Sequence, residues 1–190
     1  MPEHVPSLLA AWESFYVIVG SSAAALTGLQ FVVIVLSAEV NVLGGSSTTA
    51  AFATPTIVHF STVLLISAVL SAPWPDIADA GVILGMCGTA GVIYGLTVIH
   101  HARKQTAYTP VLEDIVWHWI LPIVAYATLL GSAIAVGRHP VMSLFLVAGT
   151  SLLLLFVGIH NAWDSVIYIA QTGRRQADKG DQERNGSNPS

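Results

Sequence analysis

The sequence predicts an all-α fold: a polytopic membrane bundle of five transmembrane helices, with the N-terminus outside and the C-terminus in the cytoplasm. Three observations carry this expectation. Hydrophobic residues make up 54% of the chain and charged ones only 9%, where a soluble domain is about one-quarter charged. Mean hydropathy is +0.69. Five stretches are apolar over about the 20 residues that a helix needs to cross the hydrocarbon core.

Residues 1–13, "MPEHVPSLLAAWE", read as an outer N-terminal tail. They contain no Lys or Arg and no small-residue cleavage site, so no cleaved signal peptide is expected. The spans follow at about 14–38, 52–72, 77–101, 115–136 and 141–171, within one transmembrane domain over 14–171. Between them lie "NVLGGSSTTA", a flexible link; "APWPD", a proline turn; "RKQTAYTPVLED", a charged loop; and "GRHP", a tight reversal. Residues 172–190 are polar and read as a disordered cytoplasmic tail.

Orientation follows from the basic residues. Of the seven, five spans put Arg103, Lys104, Arg174, Arg175, Lys179 and Arg184 on one side and Arg138 alone on the other. The first side is therefore expected to face the cytoplasm. Trp12 and Trp74 at one rim, with Trp117 and Trp119 at the other, fit an interfacial aromatic belt.

Lipid tails are as apolar as leucine, so membrane helices associate through close backbone approach and a few polar contacts. Gly20, Ala24 and Gly28 repeat every four residues in the first span, and Gly81, Gly85, Gly88 and Gly95 form a stripe in the third, with Gly91 to one side. These faces are expected to pack helix against helix and to make the first and third spans the most buried in the bundle or its oligomer. Gln30 shares a stripe with Thr27 and Ser37 and should face protein.

The stretch "GIHNAWDSV", Gly158 to Val166, sets His160, Asn161 and Asp164 within an apolar run. Counted from Arg174, Asp164 lies about ten residues, or roughly 15 Å, inside the interface. A carboxylate there costs about 2.5–3.5 kcal/mol and needs a partner; His59, at similar depth, is the expected one. Glu39, His100, His101 and His118 (beside Glu113 and Asp114) fall towards the same face, while His4 and His139 fall on the other.

Three readings follow. The polar intramembrane cluster is Asp164, His160, Asn161, His59, Gln30 and Glu39; in the first reading these are helix-end and interfacial residues, with Asp164 paired to a His or to backbone groups as structural glue. In the second they handle protons or a small solute, as intramembrane Asp and His do in relays. In the third, His59, His100, His118 and His160 bind a metal or haem for redox chemistry, although no HxxxH pair fixes ligands on one helix.

Enzyme signatures are absent: there is no phosphate-cradling glycine loop, GxSxG, HExxH or CxxC. The single Cys87 cannot form an intrachain disulfide or a multi-cysteine metal site. Without a basic cluster, nucleic acid is not an expected partner. The expected partners are the bilayer and a second copy or another membrane protein. The leading expectation is a non-enzymatic structural or regulatory component of the inner membrane.

The first span, "FYVIVGSSAAALTGLQFVVIVLSAE", together with "GIHNAWDSV", resembles a group of uncharacterised short bacterial multi-spanning proteins. Some of these carry an automatic label as modulators of the membrane protease FtsH. The likeness covers the two ends of the chain; the middle spans match only as hydrophobic segments. It implies at most a regulatory partner and names no chemistry. Where that group often has an arginine, this chain has His160, which favours an ion pair with Asp164 over metal ligation.

Overall fold

The computed structural model describes residues 5–39, 46–104 and 112–186, and among these it is helical without strands. The elements are α1 (Val5–Ala10), α2 (Glu13–Glu39), α3 (Ser46–Leu70), α4 (Ile77–Lys104), α5 (Leu112–Ile115), a π-helical turn (Val116–Ile120), α6 (Leu121–Ala135) and α7 (Pro140–Gly186). Four stretches are long and apolar enough to cross a membrane: Glu13–Val35, Ile77–His101, Val116–Ala135 and Pro140–Ile167. Among the described residues, the apolar part of α3 is the shorter stretch Thr54–Leu70.

The turns fall where helix-breaking residues stand. Asp76 caps α4 by accepting the Ala78 N–H at 2.9 Å, and Pro140 opens α7, where its missing N–H has no helical partner to lose. Pro55 lies inside α3 without ending it.

Side-chain pairing fixes the helix directions. Going along α4, Gly81 faces Val136, Gly88 faces Leu130, Gly91 faces Tyr126 and Gly95 faces Ile123. Rising numbers on α4 meet falling numbers on α6, so the two are antiparallel. The same holds for α3 and α7, where Phe60 meets Gly158 and Ile66, Val69 and Leu70 cluster with Leu144 and Val147. Gly20 against Ser67 places α2 on α3. Helix α7 packs on both α3 and α6 and is the centre of the bundle.

Within the single chain, that centre corrects the expected order of burial. Over their most apolar windows α7 is 56% buried, against 22% for α2 and 17% for α4. The glycine faces of α2 and α4 do not make those helices central, because each faces one neighbour while the rest of its girdle stays open. Val17, Ile18, Phe31, Val82, Ile93 and Phe145 are all exposed. An apolar girdle of this extent suits lipid rather than water.

Two end segments differ from the expectation. Within the expected outer N-terminal tail, Leu9 of α1 is buried and packs near Tyr16, Leu70 and Trp74, so this part of the tail folds onto the bundle. Helix α7 continues to Gly186; its final turns are rich in Gln, Arg, Lys, Glu and Ala, which favour helix even when polar. Residues 41–45 of the first link and 105–111 of the charged loop lie outside the described residues.

Candidate functional site

The two ends of the bundle differ in chemistry. Around Trp12, Trp74 and Leu144 the core is mostly apolar, with Tyr16, Ile66, Leu70, Ile77, Leu84, Leu129 and Val136 in one cluster and only the hydroxyls of Tyr16, Ser67, Ser132 and Ser143 as its buried polar groups among the described residues. At the opposite end, polar side chains from α3, α5, the π-helical turn, α6 and α7 gather.

His160 is the hub at that rim. Its ring stacks on Trp117, with centroids 4.0 Å apart and planes 6° from parallel. Its Nε2 lies 3.6 Å from a Glu113 carboxylate oxygen, and its Nδ1 lies 3.2 Å from Asp164 Oδ2. The Asp164 contact is within ion-pair range but not aligned for a hydrogen bond, which leaves Nδ1 without one. The two carboxylates sit on opposite edges of the ring, so His160 joins α5 to α7 electrostatically. Both carboxylates reach water: their side chains are 74% and 48% exposed. Such exposure holds each pair to about 0–1 kcal/mol.

A second group lies deeper. His59 is 3% exposed, and its Nδ1 is 2.9 Å from the Tyr126 hydroxyl. That hydroxyl is also 3.3 Å from Thr62 Oγ1, while Thr62 donates to the Val58 carbonyl at 2.8 Å. The one Thr62 proton is used on Val58, so Thr62 can only accept from Tyr126; the Tyr126 proton goes either there or to His59 Nδ1, according to the His59 tautomer. Tyr126 fits only because Gly91 stands opposite; a Cβ there would overlap the Tyr126 ring.

The π-helical turn links the two groups. Its wider closure holds an extra residue, and the neighbours Trp117 and His118 both turn inward. Trp117 meets His160. His118 Nδ1 is buried without a hydrogen-bond partner, and His118 lies within electrostatic reach of His59.

The other expected residues fall as follows. Asp164 does not turn into the bundle or meet His59: it is half-exposed and pairs with His160 on its own helix. With its side chain 48% exposed, Asp164 stands at the open rim rather than inside the bundle. The buried polar position on that turn is Asn161, 3% exposed. Gln30 is buried, and Thr27 bonds back to the Ala23 carbonyl; the side chains of Ser37 and Glu39 lie outside the described residues. His100 and His101 are exposed, with His101 Nδ1 2.8 Å from the Thr97 carbonyl. Among the described residues, no three His, Cys, Asp or Glu side chains converge as a metal site would require. His59, His100, His118 and His160 therefore do not form one ligand set there.

Tyr126 and Trp117 carry central contacts that sequence reasoning missed. A tyrosine inside "LPIVAYATLL" looks like one more apolar filler. The available signal was the glycine facing it, Gly91, which breaks the regular stripe of α4. No protein-family model, curated protein or solved structure matches the chain.

Proposed function

We propose that this protein is a non-enzymatic, structural or regulatory component of the bacterial inner (plasma) membrane that crosses it five times. In this reading α3 is the fifth span. Its 25 residues extend about 37 Å, and it lies antiparallel between α2 and α7, so it shares their layer. An odd number of crossings puts the termini on opposite sides. Six of the seven basic residues then lie with the C-terminus, which the positive-inside rule assigns to the cytoplasm. The His160 end belongs to the cytoplasmic leaflet and is the surface offered to a partner.

The observation that carries the reading is the division of the core. Beyond Thr62 and Tyr126 the buried polar side chains among the described residues are hydroxyls alone, those of Tyr16, Ser67, Ser132, Ser143, Thr150 and Ser151, set among Leu129, Leu84, Ile66, Leu70 and Leu144, each no more than 2% exposed. A transporter site commonly lies at mid-bilayer on interrupted helices; among the described residues, the spans depart from α-helical geometry only at the π-helical turn at one end.

Proton handling is the second reading, favoured by the buried His59–Tyr126 hydrogen bond. Proteoliposomes under an imposed proton gradient separate the two. The expected result is leakage equal to that of empty liposomes. A protein-dependent leak that Tyr126→Phe abolishes would overturn the first reading in favour of the second. Orientation is checked by reporter fusion at Gly137–Pro140, where a cytoplasmic-type signal would sink the five-span topology.

A further inference from the structure

We propose that the α3–α7 interface at Thr56 and Asn161 is a binding site for ordered water, one turn from His59. Thr56 is fully buried and Asn161 is 3% exposed. Thr56 Oγ1 and both amide atoms of Asn161 have no hydrogen-bond partner among the described residues. Several helical Ser and Thr satisfy themselves: Thr27, Thr62, Thr89, Thr97, Ser132 and Ser151 each donate to the carbonyl four residues back, while Ser67 Oγ at the α2 contact is unpartnered like Thr56. Thr56 makes no such bond, so its proton is kept for another acceptor.

Register brings these atoms together. On α3, Thr56, Phe60 and Val63 form a stripe at four-then-three spacing; on α7, Leu154, Gly158 and Asn161 do the same. The helices are antiparallel, Phe60 sits on Gly158, and Val63 shares a cluster with Leu154. The third pair is then Thr56 with Asn161. From the Phe60–Gly158 contact, Thr56 lies about 6 Å along the axis and Asn161 about 4.5 Å in the same direction, level to within about 1.5 Å.

A buried amide is rarely left unbonded, and a buried water takes two to four polar partners. Thr56 Oγ1, Asn161 Oδ1 and Asn161 Nδ2 supply three, including both a donor and an acceptor, which matches water better than an ion. Glu113 and Asp164 stand at the rim by His160, so no carboxylate is assigned to the site.

The test uses the full-length protein in nanodiscs. Thr56→Val and Asn161→Leu should each lower the melting temperature by several degrees, and the double variant should lose less than the sum, because both singles remove the same bridge. Ser151→Ala, which deletes a self-satisfied buried hydroxyl, should change it little. Unpartnered groups predict the opposite sign: if either single melts at or above the wild-type temperature, or if the losses add, the proposal fails. Infrared difference spectra between D2 16O and D2 18O provide an arm that needs no variant to fold. A water O–D band shifted by the isotope is expected in the wild type and should vanish in Asn161→Leu where that variant folds. Absence of such a band in the wild type would mean that Thr56 and Asn161 bond directly, which also overturns the proposal.

Discussion

Helices α2 and α4 carry the same kind of message, small residues spaced to invite a neighbour, and the structure uses them differently. On α4, Gly81, Gly88, Gly91 and Gly95 are each met so closely by α6 that an added Cβ would overlap or crowd it, and Gly85 faces Ala133 in ordinary contact. On α2 only Gly20 is taken, by Ser67; Gly28 has nothing within 4 Å and Ala24 is exposed. Spacing therefore selects a face without supplying what covers it. The covering partner is set by connectivity: the charged loop returns the chain from α4 directly to α6, whose whole length lies along the stripe. Helix α2 instead shares α3 with the central α7, and α3 reaches only the Gly20 side.

The largest expected effect is at Gly91. A leucine there would drive into the Tyr126 ring, which is pinned by His59 and Thr62 and cannot swing away without losing both bonds. Overpacking of this kind costs typically 1–3 kcal/mol, and the broken hydrogen bonds add about 0.5–1.5 kcal/mol each. Gly91→Leu should lose most of the folded yield, and Gly91→Ala should lower the thermal midpoint clearly. If Gly91→Ala melted at the wild-type temperature, the close contact of α4 with α6 would be wrong at its tightest point.

Gly88→Ala comes next. The added carbon would stand 2.8–3.0 Å from backbone atoms of Leu130, and a backbone cannot rotate aside as a side chain can. A loss of about 1–3 kcal/mol is expected, read as a shifted midpoint in SDS titration from mixed micelles. Gly85→Ala is the internal contrast. Its new carbon would meet Ala133 Cβ at 3.6 Å, an ordinary contact, so the variant should be neutral or slightly stabilised. Equal losses at 85 and 88 would show that the α4–α6 spacing is looser than the paired contacts require.

This ranking also marks what the sequence made legible. Helices and breaks were readable because hydropathy and turn residues act locally: the expected 77–101 and 115–136 fall on Ile77–His101 and Val116–Ala135. Azimuth was half readable. The Gly81, Gly85, Gly88 and Gly95 face does receive a helix, but Gly91, set to one side, receives the bulkiest group because Tyr126 projects obliquely from α6. The polar site was readable in composition and not in pairing. His59 lies deep and buried among helices, yet its partner is Tyr126, a residue whose ring belongs to the apolar inventory and whose hydroxyl does not. Asp164 was assigned the buried role that Asn161 holds. An amide can be buried at far smaller cost than a carboxylate, so the neutral residue takes the inner face and the charged one the rim.

The smallest expected effect is at Gly28, and it sharpens the comparison most. An open helical glycine loses about 0.8–1.0 kcal/mol of helix propensity relative to alanine. With nothing within 4 Å to collide with, Gly28→Ala should raise stability by up to about that amount. Gly28→Leu should leave the thermal midpoint nearly unchanged, its side chain joining exposed Leu29, Phe31 and Val32 in the apolar girdle. The measurement is a melt of the purified protein paired with its mass by light scattering in detergent. A several-degree loss in Gly28→Leu, with the mass falling from a multiple of the chain to a single copy, would reverse the assignment. The small face of α2 would then be covered after all, by a second copy of this chain, and the two helices would differ only in where their neighbours come from.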